Sequence, residues 1–139
     1  MKKILIKAYT ELNLGDDLFI NILLNRYKNT NFIVFSNFNY KNVFSNNNLK
    51  VYKLNLLLNI FNKILRKLKI KSHLNPYSKL KQIDAVVEIG GSIFIENKNY
   101  IADLKNREFL LNYTNGNYYI LGSNFGQYSS SNFKNKYEL

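Results

Sequence analysis

The chain has 139 residues, a formal net charge of +11, no cysteine and a single histidine. That length suits one hydrophobic core rather than two. The lack of cysteine excludes disulfides and thiolate metal sites, and one histidine argues against a zinc centre of the usual kind, so no metal or cofactor is expected.

No stretch reaches about 18 consecutive apolar residues, and the apolar start from Ile4 to Ile6 is too short for a signal peptide. A cytoplasmic protein is expected. The positive charge is unevenly placed. No acidic residue occurs between Asp17 and Asp84, whereas Arg26, Lys28, Lys41, Lys50, Lys53, Lys63, Arg66, Lys67, Lys69, Lys71, Lys79 and Lys81 all fall in that interval. Such an imbalance attracts phosphate-bearing partners or anionic membrane. Asparagine is abundant throughout, in the manner of an AT-rich genome, and single asparagines therefore carry little weight.

In chain order, Lys2 to Tyr9 reads as a first strand. The loop from Thr10 to Gly15 follows, and Asp16 or Asp17 can cap a helix whose apolar positions are Leu18, Phe19, Ile22, Leu23 and Tyr27. Asn31 to Ser36 is a second strand, Tyr40 to Phe44 a short helix, and Leu49 to Lys53 a third strand. Leu54 to Ile70 has the strongest helical period, with Leu54, Leu57, Leu58, Phe61, Ile64, Leu65 and Leu68 on one side and asparagines and basic residues on the other. This helix either packs on the core with a solvated basic face or docks on anionic lipid through Lys63, Arg66, Lys67, Lys69 and Lys71. Asn75-Pro76 ends it in a loop, and His73 reads as a surface residue.

Ile83 to Ile89 is a nearly continuous apolar run with several β-branched residues, as expected of a strand buried on both faces of a parallel sheet. It stops at Gly90-Gly91, where a backbone without Cβ atoms can turn sharply and approach a ligand closely. Tyr100 to Asn112 is a further helix with Ile101, Leu104, Phe109 and Leu111 as apolar contacts. Asn115-Gly116 is a turn and Tyr118 to Leu121 a fifth strand. The segment from Ser129 to Leu139 is polar and shows no helix of its own.

Alternating strands and helices imply an α/β, Rossmann-like open parallel sheet of about five strands in the order 3-2-1-4-5. Three loops would then share its carboxyl edge: Asn13-Leu-Gly-Asp-Asp17, Gly90-Gly-Ser-Ile-Phe-Ile-Glu96 and Gly122-Ser-Asn-Phe-Gly126. The switch point lies between the first and fourth strands. None of the three is a Gly-x-Gly-x-x-Gly fingerprint or a Gly-Lys-Ser/Thr phosphate loop, so ordinary NAD and ATP binding lose support.

The ordered set Lys3-Ile-Leu-Ile-Lys7, Leu14-Gly-Asp-Asp17, Asp84-Ala-Val-Val-Glu-Ile-Gly-Gly-Ser92 and Tyr119-Ile-Leu-Gly-Ser-Asn-Phe-Gly126 resembles the N-terminal half of the polysaccharide pyruvyl transferase family. The resemblance implies the N-terminal domain of a GT-B-like architecture, with residues 1–128 forming that domain and 129–139 a polar tail leading to a further domain. It implies transfer of a pyruvyl group from phosphoenolpyruvate to a sugar of a cell-surface polysaccharide. Family members are more than twice this length, so the chain is expected to be truncated and inactive by itself.

By the same resemblance this half binds the acceptor, a sugar or a lipid-linked sugar at the inner face of the membrane. Asp16 and Asp17 would accept hydrogen bonds from acceptor hydroxyls or deprotonate them. Asn13, Gly15, Gly90, Gly91, Ser92, Glu96, Ser123, Asn124 and Gly126 would complete the binding loops. Two alternatives stand beside this reading: the acceptor half of a GT-B glycosyltransferase, and a non-catalytic module binding anionic membrane. Nucleic acid is disfavoured, because the lysines accompany neither an aromatic stacking motif nor a helix-turn-helix pattern. Self-association through an unpaired cleft is also expected.

Overall fold

A computed structural model of the protein describes residues 1–11, 13–37, 40–53 and 82–137. The predicted helix over Leu54–Ile70, with its basic face, and the loop around His73 lie outside the described residues.

Five short apolar runs pair into one parallel sheet: β1 (Lys3–Lys7), β2 (Asn31–Phe35), β3 (Leu49–Tyr52), β4 (Ala85–Ile89) and β5 (Tyr118–Leu121). Their order is β3-β2-β1-β4-β5, as the alternation of elements predicts. The chain builds outward from β1 to β3 and then returns to the other side of β1, so β1 and β4 are adjacent while their connections leave in opposite directions. Register places Leu5 beside Ile33 and Val86, and Lys7 beside Glu88.

Side chains alternate across the sheet with the two-residue period of a strand. Ile6, Val34, Val87 and Ile89 pack on one face with Ile20 and Leu24 of α1 (Leu14–Arg26). Leu5, Ile33 and Val86 pack on the other with Leu110 of α2 (Tyr100–Tyr113). All five residues of β4 are buried, which is why it reads as an unbroken apolar run with one charged exception, Glu88.

Several local expectations are corrected. α1 is capped by Asn13, whose side chain accepts from the Gly15 amide at 3.1 Å, so Asp16 and Asp17 sit within the first turn rather than at the cap. Its inward residues are Asp16, Ile20 and Leu24, whereas Leu18 and Ile22 are 57% and 50% exposed, and Phe19 and Tyr27 are exposed as well. Apolar residues of this helix are spread around its circumference and interleaved with polar ones, so the pattern alone cannot choose its inward side. In α2 the inward side carries Asp103, Arg107 and Leu110 at helical spacing and continues into the C-cap Thr114, and Ile101, Phe109 and Leu111 face outward. The stretch at Tyr40 is a single 3-10 turn over Tyr40–Asn42.

The segment after Ser129 does form a short helix, α3 (Ser131–Asn135), capped by the Ser130 hydroxyl. Its Phe133 is fully buried among Tyr100, Phe125, Tyr128 and Tyr137. No helix among the described residues is long and apolar enough to cross a membrane.

Candidate functional site

Both long helices start at the carboxyl edge of the sheet and descend on opposite faces, so their first turns flank the gap between β1 and β4. Each contributes an inward carboxylate there, Asp16 from α1 and Asp103 from α2. The exits of β1 (Lys7, Ala8, Tyr9) and β4 (Glu88 to Ile93) supply the floor and one wall. Asn13, Asn97 and Arg107 complete the lining of a cavity of about 430 Å³. This is where open α/β sheets bind ligands, because diverging connections leave a crevice at that point.

The floor is built around Glu88, which is 3% exposed. Lys7 Nζ donates to its Oε1 at 2.5 Å, a contact set by the β1–β4 register. Arg107 donates from Nε to Oε2 at 2.8 Å and from Nη2 to Oε1 at 3.1 Å, and the Tyr118 hydroxyl donates to Oε2 at 2.6 Å. Burial pushes the Glu88 carboxyl upward, but the Arg107 hydrogen bonds, the Lys7 charge and the Tyr118 hydroxyl outweigh it. The carboxyl is held below its ordinary range. Arg107 also donates to the Ile93 carbonyl at 3.0 Å and to the Tyr137 hydroxyl at 3.1 Å, and it lies over the Phe94 ring. One guanidinium thereby ties α2, the β4 exit and the C-terminal segment to the floor.

The glycine loop has its own geometry. Gly90 has φ +152°, and a Cβ there would stand 2.6 Å from Ile93 Cγ2, so the turn needs a residue without a side chain. The β5 exit runs alongside and braces it. The Ser123 hydroxyl donates to the Gly90 carbonyl at 2.6 Å, the Asn124 amide to the Gly91 carbonyl at 2.6 Å, and the Gly126 amide to the Phe94 carbonyl at 3.3 Å.

Of the residues singled out in the sequence, Asn13, Asp16, Gly90, Gly91 and Ser92 come together on the cavity wall. Asp16 Oδ2 accepts from the Tyr9 amide at 3.1 Å, and Oδ1 has no partner among the described residues. Asp17 turns instead to the buried Tyr40, accepting a hydrogen bond from its hydroxyl. Burial, then that hydrogen bond, raises the Tyr40 phenol well above its ordinary range.

Gly15 stands in the capped turn, and Ser123, Asn124 and Gly126 act as braces behind the wall. Glu96 also lies off the wall. Its carboxylate accepts from the amides of Ser129 and Ser130 at 2.7 and 2.9 Å and from both hydroxyls, and these bonds, the Ser130 hydroxyl foremost, pull its pKa down to about 2. Sequence reasoning missed Lys7, Glu88, Asp103, Arg107 and Tyr118. The available signal was Glu88 itself, a lone carboxylate inside a buried strand, which requires buried partners.

The chain matches no protein-family model, no curated protein and no solved structure.

Proposed function

We propose that this chain is the acceptor-binding, N-terminal domain of a polysaccharide pyruvyl transferase of GT-B-like architecture. The observation that carries the reading is the position and lining of the cavity: it opens at the sheet's switch point, and Asp16, Asp103, Asn13 and Asn97 line it alongside the glycine loop. Carboxylates and side-chain amides at a crevice rim are suited to a polyhydroxylated ligand, because each can take one or two hydroxyl hydrogen bonds. The ordered motifs from Lys3 to Gly126 supply the family resemblance.

In the full reaction two acceptor hydroxyls add to the enol carbon of phosphoenolpyruvate. Two C–O bonds form and the bond to phosphate breaks. One hydroxyl proton ends on the methylene carbon and the other leaves with phosphate. On this reading Asp16 receives a hydroxyl hydrogen bond through Oδ1, with Oδ2 fixed by the Tyr9 amide, and serves as the base for the first attack. Donor-binding cations and the acid for the methylene carbon belong to a second domain.

The test pairs this domain with the second half of a family member and follows phosphate release from phosphoenolpyruvate as sugar acceptors are added. Acceptor-dependent release that drops at least about 100-fold in Asp16→Asn is expected, the range for loss of a general base. Transfer from a nucleotide-sugar without consumption of phosphoenolpyruvate would make the domain a glycosyltransferase half instead.

A further inference from the structure

We infer that the outer edge of β5 is a homodimer contact, where a second copy of this chain adds its own β5 antiparallel across a two-fold axis. None of the residues from Tyr118 to Leu121 lines the cavity, so the contact goes beyond the acceptor-binding reading and does not rest on it.

The starting point is the backbone. β5 pairs in parallel with β4 on one side and has no neighbouring strand on the other among the described residues. The Val86 amide donates to the Asn117 carbonyl at 2.9 Å and the Gly90 amide to the Leu121 carbonyl at 3.4 Å, so the odd-numbered residues here turn their peptide groups to β4. By the alternation of a strand, Ile120 directs its N–H and C=O away from the sheet. Such groups are a template for a further strand.

Sheet edges are commonly blunted by charge, and the two edges of this sheet differ. β3 carries Lys50 and is followed by Lys53, whereas β5 lies in a run from Phe109 to Phe133 that holds no Lys, Arg, Asp or Glu. Tyr119 and Ile120 project to opposite faces of the sheet and are 55% and 44% exposed. The exposed Phe19 of α1 reaches the same margin, where its ring stands 3.0 Å from the position of a Cβ on Gly122.

Charge selects the occupant. At a net charge of +11, two copies repel wherever their basic surfaces meet, and that repulsion is least along an uncharged margin. A charged peptide would find no counter-charge along this run. A second β5 is equally uncharged and complements the first. With the axis at Ile120, each Ile120 amide donates to the carbonyl of its counterpart, and Tyr119 lies opposite Leu121 of the other copy.

The test is the mass and the amide hydrogen exchange of the chain, each followed across a dilution series. Sedimentation is expected to give twice 16.4 kDa when concentrated and 16.4 kDa when dilute, with a dissociation constant of about 1–100 μM for so short an edge. The Ile120 amide is expected to exchange at least about tenfold more slowly in the dimer than in the monomer, while the Tyr119 and Leu121 amides, which face β4, are protected in both. Ile120→Lys places a charge on the edge and is expected to stay at 16.4 kDa throughout. Should that variant fail to fold, exchange of the wild-type Ile120 amide decides alone. A monomer at every concentration overturns the contact, as does a dimer that survives Ile120→Lys or leaves the Ile120 amide as fast as in the monomer. An Ile120 amide already protected in the monomer also overturns it, because another segment of the same chain then occupies the edge.

Discussion

At the scale of single residues, the site depends on two positions where the backbone or the charge leaves no latitude. Gly90 combines a positive φ with a neighbour 2.6 Å from where a Cβ would stand, whereas Gly91 has its nearest such neighbour at 4.0 Å. Gly90→Ala is expected to cost about 1–3 kcal/mol or more, and Gly91→Ala to stay within about 0.5 kcal/mol. Urea unfolding of the two variants checks this, and equal losses would mean the loop relaxes freely. Glu88 is the second such position, since its removal strands two enclosed cations. Glu88→Gln keeps the shape and one acceptor oxygen but not the charge, and it is expected to destabilise by about 3–5 kcal/mol. A loss under about 1 kcal/mol would show that solvent already screens Lys7 and Arg107.

At the scale of elements, the helices show what periodicity could and could not convey. Strands were legible because each is short, apolar and bounded by polar residues, and the alternation with helices then admits few right-handed arrangements. Helix orientation was not. The inward sides of α1 and α2 begin with Asp16, Asp103 and Arg107, because those turns face the cavity rather than the core, and an apolar stripe is the wrong guide there. Leu24→Ala in α1 is therefore expected to cost about 2–5 kcal/mol, while Leu18→Ala stays within about 0.5 kcal/mol; denaturant midpoints that reversed this order would turn the helix over.

Glu96 joins two elements, the β4–α2 loop and the cap of α3. Its folded pKa of about 2 lies below the ordinary 4.5, so its contribution is fully present above about pH 4.5 and is lost as pH falls through about 2. The difference in melting temperature between the wild type and Glu96→Gln is expected to be constant near neutrality and to shrink between those two pH values. A difference independent of pH across that window would assign the effect to shape rather than charge.

At the scale of the whole molecule, the partners of Glu88 explain why the candidate site was only half legible. Lys7, Arg107 and Tyr118 lie 81, 19 and 30 positions away in the chain, and no local pattern links them. The glycine loops could be found because close backbone approach leaves a mark in residue type, whereas an ion cluster assembled by the sheet leaves none. The C-terminal segment is a second case of long-range assembly. Read as a polar tail after residue 128, it instead contributes Phe133, whose ring lies 5.1 Å from that of Tyr100, 5.9 Å from Phe125 and 5.1 Å from Tyr137 between ring centroids. Tyr137 in turn receives a hydrogen bond from Arg107, so the segment touches the same guanidinium that holds the floor. If it is an integral part of this core, Phe133→Ala leaves a void that its neighbours cannot close and costs about 3–5 kcal/mol. If it is a linker resting on the surface, the cost stays within about 0.5 kcal/mol. Chemical denaturation separates the two outcomes. The first should also alter the amide resonances of Phe94 and Gly91, because Arg107 loses the support that Tyr137 gives it from the far side of the cavity floor.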